Sequence, residues 1–140
     1  MSDYTRPTIH LRSGLDEQIR SRGNRSTVIS RDLERLYILY RRALTSVKLT
    51  TEEACLIVDV LNGSMMDANT ARMLWANIAD AVSMNGLGKK WSVDGPALVE
   101  KLRSLSDIQA MAVIDAAERF WQGPYREADI YDAAEECFMV

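Results

Sequence analysis

The sequence is poor in the residues that build metal sites and disulfide frameworks. It has one histidine, His10, and two cysteines, Cys55 and Cys137, which are 82 positions apart. A structural zinc site needs about four cysteine or histidine ligands at short, regular spacings. A disulfide framework needs several cysteines in a small secreted chain. We therefore expect no metal site, and we interpret both cysteines as reduced packing residues.

Signals of catalysis and of membrane insertion are also missing. There is no glycine-rich phosphate loop and no nucleophile elbow, and no pair of carboxylates is marked as an acid–base couple. No apolar run approaches the ~18–20 residues of a membrane helix, and the N-terminus lacks the hydrophobic core of a signal peptide. The sequence therefore predicts no catalytic residues, no enzyme activity and no cofactor, and a cytoplasmic location without membrane contact.

The charges are present but unevenly placed. Residues 1–48 contain ten basic and five acidic residues, a net charge of +5, whereas residues 49–140 have a net charge of −8. Nine of the ten basic residues are arginines, whose planar guanidinium suits bidentate contact with phosphate and guanine. A salt-bridged helix surface would explain some of them, since Glu34 lies near Arg31 and Arg35. The split indicates different partners for the two parts of the chain.

A short alternating segment opens the basic part. Thr8, His10 and Arg12 fall on one face of the predicted strand, and Ile9 and Leu11 fall on the other. A single short strand with one apolar face is not stable alone. The same strand of a second copy is the obvious partner, and together they would form a two-stranded ribbon.

The remainder of the chain has helical patterning. A helix is predicted over about Leu15–Arg22, a turn at Gly23-Asn24, and a second helix from an N-cap at Ser26 to about Thr45. The fold class is therefore mainly α, with an N-terminal domain over residues 1–48 and an acidic all-helical domain of about five helices over residues 49–140. The five predicted helices begin near Thr51, after an Asp67 cap, near Pro96, after Ser106-Asp107, and near Glu127. An exposed connection is predicted at Lys89–Ser92, where Trp91 is left open as a contact for DNA or for a protein.

Thr8–Arg12, the short helix, the Gly23 turn and the segment Ser26–Leu33 together resemble the ribbon-helix-helix family of DNA-binding proteins, of the Arc, MetJ and CopG type. The resemblance covers about residues 5–45. It implies a dimer whose paired strands enter the major groove, and it implies these roles for residues of this sequence. Base contacts would come from Thr8, His10 and Arg12; phosphate contacts from Arg6, Asn24, Arg25, Ser26, Thr27 and Arg31; and the dimer core from Ile9, Leu11, Ile29, Leu33 and Leu36.

Independent physical arguments agree with these expectations. A two-stranded ribbon fits the major groove, an arginine can grip guanine O6 and N7, and a helix N-terminus attracts anions. We therefore expect a homodimer or higher homo-oligomer that binds specific double-stranded DNA, most simply a transcriptional repressor. The acidic domain would mediate oligomerisation or bind a protein partner. Two alternatives stay open: a helical protein–protein adaptor whose strand only dimerises it, and an antitoxin or plasmid-maintenance accessory.

Overall fold

Seven helices make up most of the described part of the computed structural model, which comprises residues 11–61, 70–122 and Phe138. The mainly α class is therefore confirmed. The helices are α1 (Ser13–Ser21), α2 (Arg25–Ser46), α3 (Thr51–Leu61), α4 (Ala71–Asn85), α5 (Leu87–Lys90), α6 (Gly95–Arg103) and α7 (Asp107–Gln122). The predicted last helix near Glu127, together with Cys137, lies outside the described residues.

The predicted ribbon strand is not seen. None of the described residues forms a strand, and most of the predicted strand, including Arg6, Thr8, Ile9 and His10, lies outside them. Its last two positions precede α1. Arg12 is the N-cap of α1 and has extended backbone angles, φ −61° and ψ 142°. An extended residue entering a helix is compatible with a preceding strand but does not establish one.

The chain divides into two compact units, Met1–Tyr37 and Ile38–Val140, and α2 runs through the division. The predicted functional division after residue 48 stays a prediction. In the first unit, hereafter the N-terminal unit, Gly23 joins α1 to α2 with φ +131°, a conformation that favours glycine. Ile19 and Val28 are its buried apolar side chains among the described residues, being 8% and 2% exposed.

The N-cap of α2 was predicted two residues too late. The helix begins at Arg25, and Asn24 caps it in place of Ser26. The Asn24 Oδ1 atom accepts a hydrogen bond from the Thr27 backbone N–H at 3.2 Å. Asparagine is as good a cap as serine, and its position directly after Gly23 lets the chain turn and begin the helix at once.

The second unit, hereafter the C-terminal unit, is built around α3. This helix is buried on nearly all sides, because Ala54, Leu56, Ile57 and Val58 are all fully buried together with Cys55. It packs against α4 and α7, and α4 also packs against α6. The buried position of Cys55 agrees with its interpretation as a packing residue. A helix that is apolar all round belongs at the centre of a core.

Two helices of the C-terminal unit, α3 and α7, begin with a capping box, near the starts that the sequence predicted for them. Thr50 and Glu53 form a reciprocal capping box at α3, since the Thr50 N–H donates to the Glu53 carboxylate at 2.9 Å and the Glu53 N–H donates to Thr50 Oγ1 at 3.1 Å. Ser106 and Gln109 do the same at α7. These contacts fix where both helices begin.

The start of α4 was predicted wrongly. The helix begins at Ala71, and its cap is Thr70, whose Oγ1 accepts from the Met73 N–H at 3.2 Å. Asp67, the predicted cap, lies outside the described residues. The Ala71 N–H donates to the Asp107 carboxylate at 2.9 Å. Asp107, 36 positions away, therefore adds to the local Thr70 cap at this helix start, and local spacing does not reveal that second contact.

The exposed connection predicted at Lys89–Ser92 is corrected in part: Lys89, Lys90 and Ser92 are exposed as predicted, whereas Trp91 is not. Residues Leu87–Lys90 form the short helix α5, and Trp91 is only 8% exposed. Its indole N–H donates to the Asp59 carboxylate at 2.9 Å, and the Lys90 ammonium donates to the same oxygen at 2.8 Å. Trp91 is therefore a core residue with a satisfied polar atom and not an open contact surface.

Candidate nucleic-acid interface

Arg12 is the predicted base-contact residue that the structure describes. It is exposed at the N-cap of α1, and its side chain makes no cap hydrogen bond. The other two predicted base-contact residues, Thr8 and His10, lie outside the described residues, as does Arg6 among the predicted phosphate contacts.

The four consecutive residues predicted to meet a phosphate all lie at the start of α2. Asn24 uses its side-chain oxygen to close the first turn, accepting from the Thr27 N–H and, at 3.4 Å, from the Thr27 hydroxyl. Ser26 and Thr27 are exposed, and Arg25 is half-buried. The start of a long helix is electrostatically suited to an anion, but one of its N–H groups is already bonded to Asn24.

An ion-pair network joins α1 to the start of α2. One oxygen of Asp16 accepts a hydrogen bond from Arg25 Nε at 2.8 Å, and the other forms an ion pair with Arg20, at 2.9 Å from its Nε atom. This network was not predicted from the sequence, and Arg20 was not among the predicted site residues. The helical spacing from Asp16 to Arg20 could have suggested half of it, whereas the bond to Arg25 depends on how the Gly23 turn folds.

A second ion pair joins the end of α1 to α2. Arg22 donates from both terminal nitrogens to the two oxygens of Asp32, at 2.6 and 3.0 Å. These hydrogen bonds, together with the charges of Arg22, Arg31 and Arg35, hold the pKa of Asp32 below its usual value, and the carboxylate in turn raises the pKa of Arg22. Because the folded-state pKa of Asp32 is depressed, the pair contributes at pH values above the ordinary aspartate pKa and weakens as acid protonates the carboxylate.

Three other arginines of the N-terminal unit are exposed and take no part in the ion pairs described above. Arg12, Arg31 and Arg35 are exposed, and none of the ion pairs found among residues 11–61 and 70–122 includes them. Arg31 was a predicted phosphate contact, and Arg35 was not. These side chains present their guanidinium groups to solvent, in contrast to Arg22, which is bound through both terminal nitrogens.

The predicted dimer-core residues that the structure describes are incompletely covered. Leu11, Ile29 and Leu36 are half-buried, and Leu33 is 43% exposed. Leu33 lies one helical turn before Tyr37, which is 51% exposed, so the two form an apolar stripe on α2. Ile9, the remaining member, lies outside the described residues.

The C-terminal unit offers weaker candidates. An open cleft of about 330 Å³ is lined by seven residues. They are Thr50, Glu52, Glu53, Ser92, Val93, Asp94 and Ala97. Glu53 forms an ion pair with Lys101 at 2.7 Å, and Asp94 caps α6 by accepting from the Ala97 N–H. The Glu53 and Asp94 carboxylates therefore already have structural roles, which makes the cleft a weaker candidate than the N-terminal unit.

Two carboxyl groups on α7 have raised pKa values. Burial raises the pKa of Asp115, against the opposing effect of Arg119, and burial together with the charge of Asp115 raises the pKa of Glu118. Raised carboxyl pKa values occur at acid–base sites, but neither residue lines the cleft described above. Within the described part of the chain there is no cluster of three or more potential metal ligands, and no helix there combines the length and apolar character needed to cross a membrane.

The Trp75 and Trp91 side chains are both at least partly covered, so neither offers a fully exposed ring for stacking on bases. Trp75 is half-buried, and the Arg103 guanidinium lies over its ring, 4.3 Å from the centroid. Trp91 is buried, as described above. The N-terminal unit therefore contains the candidate interface: exposed arginines, an ion-paired corner between α1 and α2, and a partly exposed apolar stripe.

Comparison with known proteins adds no relative. No family model matches the sequence, and neither the curated proteins nor the solved structures gave a match. The resemblance to the ribbon-helix-helix family therefore depends on the residues quoted above.

Proposed function

We propose that this protein is a homodimer that binds specific double-stranded DNA through its N-terminal unit and represses transcription at the bound site. The observation that supports the proposal most directly is the exposure of three arginines in that unit. Arg12, Arg31 and Arg35 are exposed and lie outside the ion pairs of the described residues. Neutralisation of phosphates by such side chains supplies most of the salt-dependent affinity of a DNA-binding protein.

Homodimerisation is supported by the incomplete core of the N-terminal unit. Two apolar side chains are buried among its described residues, whereas Leu15, Leu33 and Tyr37 are each more than 40% exposed. A segment this small cannot bury enough apolar surface to be stable alone. A second copy would cover the same stripe on both chains, as expected of a two-fold interface.

Sequence readout is proposed for the segment that enters α1. Arg12 is extended and exposed at its end, and Thr8 and His10 share its face if the alternation of the sequence continues as a strand. Pairing of two such segments would give a ribbon whose outward side chains contact base edges, with Arg12 bidentate to guanine. Phosphate contacts from Arg31 and the α2 start would fix its orientation.

The test is selection of bound duplexes from a random-sequence pool, with the mass of the protein measured by sedimentation under the same conditions. We expect a palindromic motif and a dimer. Arg12→Ala should weaken binding of the selected duplex by about a hundredfold or more, because a homodimer would lose two bidentate base contacts of ~1–3 kcal/mol each, and His10→Ala should relax the selected sequence.

Arg72→Ala is the matched control. Arg72 is exposed on α4 in the C-terminal unit, so its removal changes the net charge by the same amount as Arg12→Ala without touching the proposed interface. Equal losses in the two variants would indicate binding by overall charge and contradict specific readout. A dimer without any DNA binding at low salt would favour the adaptor alternative.

A further inference from the structure

Two large apolar side chains in the second half of α2 are exposed. Ile38 and Leu39 are each 50% exposed, and both belong to the C-terminal unit. The core-facing side of this part of the helix holds Leu44, which is 3% exposed. Ile38 lies about 120° and Leu39 about 140° around the helix from Leu44. The core of the C-terminal unit therefore leaves half of each side chain in water.

Two arginines border these apolar residues. Arg41 lies three positions after Ile38, and Arg42 lies four positions after it. Arg42 also lies three positions after Leu39. Residues three or four apart are neighbours on a helix surface, so each apolar side chain lies beside a guanidinium group. Both arginines are exposed, and none of the ion pairs found among the described residues includes them.

The four residues Ile38, Leu39, Arg41 and Arg42, hereafter the basic–apolar patch, differ in charge from the rest of their unit. Residues 38–51 contain three basic residues and no acidic one, whereas residues 49–140 have a net charge of −8. The unit as a whole would attract basic partners, but this patch is complementary to an acidic one. Arginine is also enriched at protein interfaces, where it binds carboxylates through two parallel hydrogen bonds.

We propose that the basic–apolar patch is a docking site for an acidic amphipathic helix of a partner protein. Apolar side chains of the partner would cover Ile38 and Leu39, and its carboxylates would pair with Arg41 and Arg42. Because the patch is small, the contact would belong to the transient class of interfaces. This inference goes beyond the proposed function, since it concerns the C-terminal unit and does not require DNA.

The chemistry of the patch favours this occupant over two others. A second copy paired through the same patch about a two-fold axis would bring arginines of like charge together. A DNA phosphate backbone would neutralise the arginines, but it has no apolar surface with which to cover Ile38 and Leu39. An acidic amphipathic helix satisfies both kinds of side chain at once.

The experiment measures the binding of fluorescent synthetic peptides to the full chain by anisotropy, at about 0.15 M salt so that distant charges are screened. The first peptide has about 20 residues, enough for helix formation in isolation, with leucines on one face and glutamates beside them. A second peptide has glutamine in place of every glutamate, and a third has lysine. We expect the glutamate peptide to bind at least about tenfold more tightly than the glutamine peptide.

A charge exchange locates the bound peptide. Arg42→Glu should weaken binding of the glutamate peptide by at least about tenfold and strengthen binding of the lysine peptide, because attraction and repulsion change places. Arg72→Glu is the matched control, since Arg72 is exposed on α4 in the same unit. It changes the net charge equally and should alter the affinity for the glutamate peptide by less than about twofold. Circular dichroism checks that both variants keep their helices.

Leu39→Gln tests the apolar part of the patch. It should weaken binding of the glutamate peptide by about fivefold to tenfold, because the half of the leucine side chain that is now exposed would no longer be removed from water. Met84→Gln is the matched control. Met84 is 82% exposed on α4, away from the patch in sequence, and its replacement should leave the affinity unchanged.

Four results would overturn the proposal. Equal affinities for the glutamate and glutamine peptides would exclude recognition of acidic side chains, and equal effects of Arg42→Glu and Arg72→Glu would indicate attraction by overall charge. Loss of duplex DNA binding in Arg42→Glu with unchanged peptide binding would assign the patch to DNA. A smaller sedimentation mass of Leu39→Gln without peptide would assign it to a second copy. The peptide measurements contain no DNA, so their failure leaves the proposed function standing.

Discussion

At the scale of single residues, Asp59 shows how a polar side chain can hold a core residue in place. One of its oxygens accepts from both the Trp91 indole N–H and the Lys90 ammonium. The tryptophan is buried, whereas the Lys90 side chain is 58% exposed. The two bonds should therefore contribute unequally, since an unsatisfied buried donor costs more than a lost surface ion pair.

This inequality gives a prediction. Asp59→Ala should lower the free energy of unfolding by about 1–3 kcal/mol, because it leaves the indole N–H buried without its acceptor. Lys90→Ala should lower it by less than about 1 kcal/mol. Urea unfolding followed by tryptophan fluorescence measures both. Equal losses in the two variants would show that the ion pair, and not the indole bond, is the important contact.

Glu53 makes one contact that the sequence could predict and one that it could not. The capping box of Thr50 and Glu53 was predictable because both partners lie within four positions. The further role of Glu53 was not, because its carboxylate also accepts from Lys101, 48 positions away, at 2.7 and 3.0 Å. Local hydrogen bonds follow from spacing, whereas contacts between helices depend on packing that the spacing does not specify.

At the scale of elements, the contact between α4 and α6 depends on one glycine. Gly95, the first residue of α6, is buried, and a Cβ atom added there would overlap the Cγ1 atom of Val82 on α4. The Asp94 side chain caps α6 directly before this glycine. The glycine therefore permits close approach of the two helices and is not needed for a special turn.

The corresponding prediction concerns Gly95→Ala. Crowding against Val82 should lower the free energy of unfolding by about 1–3 kcal/mol, measured by chemical unfolding. Gly14→Ala is the matched control, since nothing lies within 4 Å of a Cβ atom there. That change should be neutral or stabilise by up to about 1 kcal/mol.

A double-mutant cycle tests the stated cause. Adding Val82→Ala to Gly95→Ala should recover part of the loss, giving a coupling energy of at least about 0.5 kcal/mol between the two sites. Additive effects would mean that Gly95→Ala acts through the backbone of α6 and not through Val82.

The sequence predicted the helices better than any other element. Local capping signals explain where some of these helices begin, but not all. The start of α7 agrees with its Ser106-Asp107 signal, because the capping side chains are neighbours in sequence. Residues near Trp91 look polar and exposed in sequence, yet α5 and Asp59 bury the ring. Phosphate-contact residues were predicted at the start of α2 from the resemblance, but the ion pair between Arg25 and Asp16 of α1 depends on how the Gly23 turn folds.

At the scale of the whole molecule, the two units differ in how completely each buries its apolar residues. The C-terminal unit has a continuous core around α3, in which Leu56, Leu74, Ile78 and Leu98 are fully buried. The described part of the N-terminal unit buries Ile19 and Val28 and leaves Leu33 and its neighbours partly exposed. Stability is therefore expected to be intrinsic to the C-terminal unit and dependent on association in the N-terminal unit.

Hydrogen exchange measured at about 1 µM and about 1 mM protein tests this difference without DNA. Amides of residues 25–37 should exchange more slowly at the higher concentration, because association protects them in proportion to dimer population. Amides of α3 should exchange at the same rate at both concentrations, since its side chains are buried within one chain. The α3 amides thus serve as an internal control in each sample.

Leu33→Asp should abolish the concentration dependence by placing a charge on the apolar stripe of α2 while leaving α3 protected. Asp80→Asn, which changes one charge on an exposed residue of α4, should leave the concentration dependence of exchange at residues 25–37 unchanged. If residues 25–37 exchange equally at both concentrations, the stripe is not covered by a second copy. The homodimer, and with it the paired ribbon on which specific DNA readout depends, would then be wrong.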